Sequence, residues 1–301
     1  MTKTVLITGG TGLIGSRLTE LLINKGYTVT YLSRSPEKVK DVKAYEWDIQ
    51  KQTIDTDCLQ GADYIINLAG AGIADEKWNK ERKKVLLESR TKSTALLKDT
   101  LRDNDHSVKA VISASAIGYY GYDSGGVLKK EDSRFGDDFL ATVTKAWEAE
   151  ADMIADQGIR LVKIRVGLVL SVEGGALEKL AKPAKFGLNA PLGSGDQYMS
   201  WIHIDDLCEQ FIYAMENPIE GAYNGVAPHP VTNKEFTKAT SAALHKPAFL
   251  PPVPAFALKL ALGEMASMLL GGSKVSSEKI ENAGYQFKYP HLEGALKDLL
   301  S

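Results

Sequence analysis

The chain has 301 residues, enough for one large α/β domain with an added lobe or for two small domains. Its 36 basic residues against 38 acidic ones leave a net charge of −2, with no basic excess to hold a nucleic acid or an anionic membrane. Two cysteines, Cys58 and Cys208, stand far apart without metal-like spacing, which predicts free thiols in a reducing cytoplasm and no metal site. The N-terminus enters the first apolar run with no charged-then-apolar signal region. The most apolar later stretch, Ala255 to Leu270, carries Lys259 and Glu264 and is too short and too polar to span a bilayer.

The first element is the most informative. Val5-Leu6-Ile7 is a short apolar run ending in Thr8, followed by Gly9, Gly10, Gly12 and Gly15. Ile14, Leu18, Leu21 and Leu22 then fall at helical spacing. Strand, glycine turn and helix follow without a spacer, the context in which a dinucleotide fingerprint has a mechanism. The glycines close the turn, backbone N–H groups approach a pyrophosphate, and the helix N-terminus faces it. Gly10, Gly12 and Gly15 fit the general fingerprint. Gly9, Gly12 and Gly15 after Thr8 fit the wider spacing of short-chain dehydrogenases/reductases. The candidate cofactor contacts here are Gly9, Thr11, Gly12, Leu13, Ile14 and Gly15.

The second strand is expected over Tyr27–Leu32, ending in Ser33-Arg34. An acid at this place would hold the adenosine ribose hydroxyls of NAD, whereas an arginine can hold the 2′-phosphate of NADP. Arg34, with Ser33 beside it, therefore favours NADP(H) over NAD(H). A third strand is expected over Tyr45–Ile49, with Asp48 either at the adenine edge or a plain loop acid. A fourth, Asp63–Leu68, exits into Asn67-Leu68-Ala69-Gly70, whose small residues let the backbone come close to a cofactor. A charged helix follows from about Lys77 to Arg102. Its Arg90 either reaches a phosphate or substrate or forms a surface ion pair.

The fifth strand, Ala110–Ser113, continues as Ser113-Ala114-Ser115-Ala116-Ile117-Gly118-Tyr119-Tyr120-Gly121. This resembles the extended short-chain dehydrogenases/reductases, the group of sugar-nucleotide epimerases and dehydratases. Those carry a hydroxyl residue in a serine-rich strand exit, then a Tyr-Gly pair. By that resemblance Ser115 is the active-site hydroxyl and Tyr120-Gly121 the Tyr-Gly pair, with one residue inserted before it.

The family's proton device is a tyrosine and a lysine one turn apart on the next helix, the lysine lowering the phenol pKa. That helix, expected over Phe139–Gln157, has no tyrosine, and none occurs from Asp123 to Gln197. With Glu148 aligned to the acid that often follows the pair, its positions are Leu140 and Thr144. Lys145 is one place off. Tyr119 or Tyr120 is then the substitute phenol, and Glu131 or Asp132 a weaker acid/base.

The sixth strand, Arg160–Arg165, runs into Val166-Gly167-Leu168-Val169-Leu170, which resembles the segment lining the nicotinamide end in extended family members. Gly174-Gly175 starts a helix to about Phe186, and Gln197–Ile202 returns as a strand. His203 reads as a structural hydrogen-bonder, and Asp205 or Asp206 as the cap of a helix Leu207–Met215. Gly221–Asn224 is a further strand, and Thr232 with Glu235 forms a capping box for a helix to about His245. Prolines 247 to 254 mark a linker, and three short helical patterns close the chain.

Taken in order, Ser33-Arg34, Asn67-Leu68-Ala69-Gly70, Gly118-Tyr119-Tyr120-Gly121, Trp147-Glu148, Trp201-Ile202-His203-Ile204 and Gly263-Glu264-Met265 resemble the "epimerase family" branch, which has an added C-terminal domain of unknown function. The resemblance implies an NADP(H)-binding protein with no settled substrate, and Ser33, Arg34, Leu68 and Arg90 as cofactor contacts.

The expected fold is α/β. A Rossmann-type doubly wound parallel sheet occupies residues 1–168, with a returning segment at about 197–228. A smaller, mostly helical substrate lobe takes 169–196 and 229–301. The expected cofactor set is completed by Asn67, Ala69, Gly70, Ser113 and Val166, and the catalytic set is Ser115, Tyr119 and Tyr120. Three functions are open: an NADP-dependent oxidoreductase or epimerase acting on a small polar molecule such as a sugar derivative; an NADP(H) sensor without turnover, which the missing tyrosine–lysine pair favours; and a partner-binding protein using its C-terminal helices, for instance as a homodimer.

Overall fold

A computed structural model describes residues 2–122 and 125–301. The first half alternates strand and helix: β1 (Thr4–Thr8), α1 (Leu13–Asn24), β2 (Thr28–Ser33), β3 (Lys43–Asp48), β4 (Thr53–Ile54), β5 (Ala62–Asn67), α2 (Lys80–Asp103), β6 (Ala110–Ala116), α3 (Phe139–Ala155) and β7 (Arg160–Val166). The second half is more broken: β8 (Leu168–Leu170), α4 (Ala176–Lys185), β9 (Tyr198–Met199), β10 (Trp201–His203), α5 (Ile204–Glu216), β11 (Gly221–Gly225), β12 (Val231–Thr232) and α6 (Asn233–Ala243). Short helices α7 (Ala255–Leu262), α8 (Ser267–Leu270), α9 (Glu278–Asn282) and α10 (Leu292–Leu300) complete the chain.

The main sheet has eight strands in the order β11-β7-β6-β5-β1-β2-β3-β4, parallel except for the β3–β4 pair. The chain builds outward from β1 through β2 and β3, then restarts at β5 on the other side of β1. The switch point therefore lies between β1 and β5, where ligands of doubly wound sheets sit beyond the carboxyl ends of the strands. Alternation in β1 fixes its two faces: Val5 and Ile7 pack in a cluster with Leu18 and Leu22 of α1 and Phe211 of α5. Leu6 packs the opposite way, with Leu97 and Leu101 of α2 and Ile154 of α3. A separate core of Leu177, Trp201, Phe236, Leu292 and Leu296 holds α4, α6 and α10 together.

Three expectations change. The third strand starts earlier, at Lys43, and Asp48 accepts the N–H groups of Gln50 and Lys51, so it closes a turn. The strand carrying Ser115 does not stop at Ser113 but pairs with β7 as far as Ala116, placing Ser115 opposite Arg165 inside the sheet. Small alternating residues leave room there for the long β7 side chains. The helix after β10 starts at Ile204, and its cap is His203, whose Nδ1 accepts the Asp205 N–H at 3.0 Å. Asp205 and Asp206 sit in the first turn: Asp205 pairs with Arg17, and Asp206 accepts the backbone N–H groups of Lys288 and Tyr289. The capping box at Thr232 and Glu235 forms as expected.

Candidate functional site

The glycine turn is built by close packing. A Cβ on Gly10 would stand 2.4 Å from the Tyr31 ring, and one on Gly15 would stand 2.4 Å from the Gly9 carbonyl oxygen. These two glycines are needed for the turn to lie against β2 and close on itself. Gly12 is different. It is exposed, and a Cβ there meets only the Gly9 oxygen, at 3.3 Å. It is also the cap residue of α1, with no side-chain capping bond and no acid in the first turn. The N–H groups of Leu13 and Ile14 thus point out of an uncapped helix end, with the positive end of the dipole behind them. Such a cradle fits a pyrophosphate.

Opposite lies the exit of β5. Thr8 Oγ1 donates to Asn67 Oδ1 at 2.7 Å and accepts the N–H groups of Leu68 and Ala69 at 3.0 Å each. Asn67 Nδ2 in turn donates to Thr94 and to Ser113 Oγ. Asn67 and Ser113 are fully buried, so their side chains tie β1, β5 and β6 together, and the open wall is left to Leu68 and Gly70. Arg90 is buried too. It forms no ion pair among the described residues; its guanidinium donates to the carbonyls of Leu86 and Ala71 and lies over the Trp147 ring, directly beneath Gly70. Burial pulls its pKa down to about 10.

At the end of β2, next to the glycine turn in the Thr8–Leu32 register, Arg34 is exposed, and its guanidinium has no partner among the described residues. The Ser33 hydroxyl accepts the Ser35 N–H. An uncommitted guanidinium beside the adenosine end of the crevice is suited to a 2′-phosphate. Val166 is half-buried where β7 leaves the sheet, and Leu13 packs against Gly174 and Gly175, so the segment after β8 covers the turn.

The candidate catalytic residues are engaged with one another. Ser115 Oγ donates to Glu148 Oε1 at 2.6 Å. Glu148 is held by Arg165 through two bonds, Nε to Oε1 at 2.8 Å and Nη2 to Oε2 at 2.9 Å. Burial pushes the Glu148 carboxyl upward, but Arg165 and the Ser115 hydroxyl outweigh it and hold the group below its ordinary value. Arg165 Nη1 also donates to Tyr120 Oη and to the Glu131 carbonyl, and Tyr120 Oη donates to Asn224 Oδ1 at 2.6 Å. Burial raises the Tyr120 phenol to about 12. Tyr119 lays its ring on the Arg165 guanidinium, 3.6 Å from centroid to carbon. Glu131 accepts the Asn224 N–H, whereas Asp132 is exposed. The structure therefore brings Ser115, Tyr119 and Tyr120 together around Arg165, as parts of one buried ionic network.

The helix that carries the family's proton device is filled differently. Leu140 and Thr144 are buried against Gly118, and Thr144 Oγ1 donates back to the Leu140 carbonyl. Lys145 turns outward, its ammonium 3.7 Å from the centroid of the Phe135 ring. A phenol–ammonium pair cannot form on this face of α3.

Sequence reasoning missed Tyr122. It lies just past the Tyr-Gly pair, and with Gln197 it lines a cavity of about 1100 Å³ between the Gly193–Gln197 loop and the α7–α8 segment. The stretch free of tyrosine runs between Tyr122 and Tyr198, and both ends of it line this cavity.

Residues 5–226 match the model of the NAD dependent epimerase/dehydratase family. The chain belongs to that family. Residues 253–299 match a domain of unknown function, DUF1731, which accounts for the α7–α10 segment. Among relatives, the mouse (Mus musculus) epimerase family protein SDR39U1 is 38% identical over 304 residues, covering 99% of each chain. A crystal structure of human epimerase family protein SDR39U1 (isoform 2) with NADPH superposes with a TM-score of 0.88 at 36% identity, covering 98% of both chains. The structure of a nucleoside-diphosphate sugar epimerase from Corynebacterium glutamicum gives a TM-score of 0.81 at 33% identity, covering all of this chain and 58% of that one. Among the described residues, no helix is long and apolar enough to cross a membrane.

Proposed function

We propose that this family member binds NADP(H) across the β1–β5 switch point and uses it to oxidise or reduce a small polar molecule, a sugar derivative being the leading class. The observation that carries the reading is the uncommitted Arg34 guanidinium beside an uncapped α1 N-terminus whose glycine turn admits a pyrophosphate. The human relative crystallised with NADPH supports the same choice of cofactor. In this reading Gly9, Thr11, Gly12, Leu13, Ile14 and Gly15 surround the pyrophosphate, and Ser33 and Arg34 hold the 2′-phosphate. Leu68, Ala69 and Gly70 flank the nucleotide with Arg90 stiffening their loop, and Val166 lies at the nicotinamide end. Bound NADP(H) supplies or takes a hydride. The two buried free thiols fit a reducing compartment, for which we propose the cytoplasm.

A second reading is supported by the buried network. With Ser115, Tyr120 and Glu148 bonded to one another and Leu140 and Thr144 in place of the tyrosine and lysine, the chain can bind NADP(H) as a sensor without turnover. Fluorescence titration with NADPH and NADH, followed by nicotinamide absorbance against a panel of carbonyl compounds and alcohols, tests both. Tight NADPH binding with turnover supports the enzyme. Tight binding with no turnover supports the sensor, and weak, equal binding of the two nucleotides contradicts both.

A further inference from the structure

The cavity lined by Tyr122, just past the end of β6, combines two observations. First, buried polar side-chain atoms normally find partners, and an orphan asks for a water or a ligand. Tyr122 Oη and Gln197 Oε1 are both buried without a hydrogen-bond partner among the described residues, and both belong to side chains lining this one cavity. Neither is loosely placed. The Tyr122 N–H donates to Asp138 Oδ2 at 3.0 Å, and its carbonyl accepts the Gly272 N–H. Ser267 lies beside the phenol outside hydrogen-bonding geometry and gives its own hydroxyl proton to the Glu264 carbonyl. Gln197 spends its amide N–H groups on the carbonyls of Leu192 and Leu269, at 2.9 and 2.7 Å, which fixes its oxygen as the free acceptor. Burial raises the Tyr122 phenol to about 12, so at neutral pH it is a donor. Just behind the cavity wall there are therefore one unpaired donor and one unpaired acceptor, the complement of a hydroxyl or a hydroxy-carbonyl group that reaches them.

Second, the charge is wrong for a phosphorylated ligand. Two carboxylates, Asp196 and Glu264, line the cavity with a single ammonium, Lys259, and no arginine lines it among the described residues. Away from a glycine turn such as Gly9–Gly15, a diphosphate is held by cations, above all by guanidinium groups. A volume of about 1100 Å³ is ample for a monosaccharide-sized molecule.

We infer that this cavity is the substrate site and takes an uncharged, hydroxyl-bearing molecule of monosaccharide size rather than a nucleoside diphosphate sugar, with Tyr122 donating to it and Gln197 accepting from it. The inference rests on the NADP(H)-linked reading above and narrows its substrate class. Tyr122 is then the phenol nearest to substrate, while Tyr119 and Tyr120 remain in the Arg165 network.

The test uses the full chain. NADPH affinity is first measured by fluorescence. D-glucose, D-xylose, N-acetyl-D-glucosamine, UDP and UDP-glucose are then titrated, with and without saturating NADPH, by calorimetry and saturation-transfer NMR. At least one neutral sugar is expected to bind, UDP and UDP-glucose are not, and Tyr122→Phe is expected to weaken the sugar about tenfold with NADPH affinity unchanged. Gln197→Met gives a second reading of the same site, checked for folding by its thermal midpoint. Binding of UDP-glucose, sugar affinity indifferent to Tyr122→Phe, or no binding by any neutral sugar overturns the inference. Failure of NADPH to bind in the first titration overturns the cofactor reading instead, and the nucleotide-free titrations still report on the cavity.

Discussion

Ser115 gives its hydroxyl proton to Glu148 across 2.6 Å, and Glu148 is the carboxylate that neutralises the buried Arg165. A serine committed in this way has lone pairs to offer a ligand but no proton to donate. Glu148 sits at the centre of a structural cluster, and its removal leaves Arg165 buried without its carboxylate. Glu148→Ala is expected to cost about 3–5 kcal/mol, and Ser115→Ala only about 2 kcal/mol. Urea unfolding of the two variants checks the ranking.

The same carboxylate gives a pH dependence with a definite sign. Its folded pKa lies below the unfolded value of 4.5, because Arg165 and Ser115 outweigh burial. The unfolded chain therefore takes up the proton first. The stability contributed by Glu148 is fully present above the unfolded value and is lost as pH falls through the folded one. Urea midpoints taken from about pH 6 to about pH 3 are expected to fall more steeply for the wild type than for Glu148→Gln. Equal slopes would show that Glu148 does not contribute.

Two glycines of one turn are expected to behave oppositely. A methyl group on Gly10 enters the Tyr31 ring, whose hydroxyl is held by Thr19, so Gly10→Ala is expected to destabilise the fold by about 1–3 kcal/mol. A methyl group on Gly12 meets almost nothing, and its φ of −82° suits alanine, so Gly12→Ala is expected to change stability by less than about 1 kcal/mol. It stands at the open tip of the turn, however, and is expected to weaken NADPH about tenfold. Thermal midpoints and fluorescence titrations on the same samples separate the two effects.

Asp206 is the tether of the C-terminal segment. Its carboxylate accepts the N–H groups of Lys288 and Tyr289 at 2.8 Å each and the Tyr285 hydroxyl at 3.1 Å, all in a buried setting. Asp206→Ala is expected to cost about 3 kcal/mol and to expose the last helices to proteolysis before the Rossmann sheet is cut. Limited proteolysis followed by mass spectrometry reads the order of cleavage.

What could be read from sequence was local. The glycine turn declares itself because strand, glycines and helix are contiguous, and the place of Arg34 in the fold is legible because it follows the second strand directly. The loss of the tyrosine–lysine pair was also visible, since it concerns the spacing of residues on one helix. The network was not, because Ser115, Glu148, Arg165, Tyr120 and Asn224 come from five separate elements joined by the β6–β7 and β7–β11 registers and the packing of α3. For the same reason the sequence left Arg90 open between a phosphate or substrate contact and a surface ion pair, whereas the loop after β5 folds over it. Tyr122 carries no local signal at all. Its cavity exists only once the Gly193–Gln197 loop and the α7–α8 segment meet.

The central claim, an NADP(H) site with Arg34 on the 2′-phosphate, is tested most directly by the affinities of Arg34→Ala for NADPH and NADH, measured side by side by fluorescence. Loss of a charge-assisted contact predicts NADPH binding weaker by about tenfold to a hundredfold with NADH unchanged. Equal loss of both nucleotides, or no loss of NADPH, would contradict it.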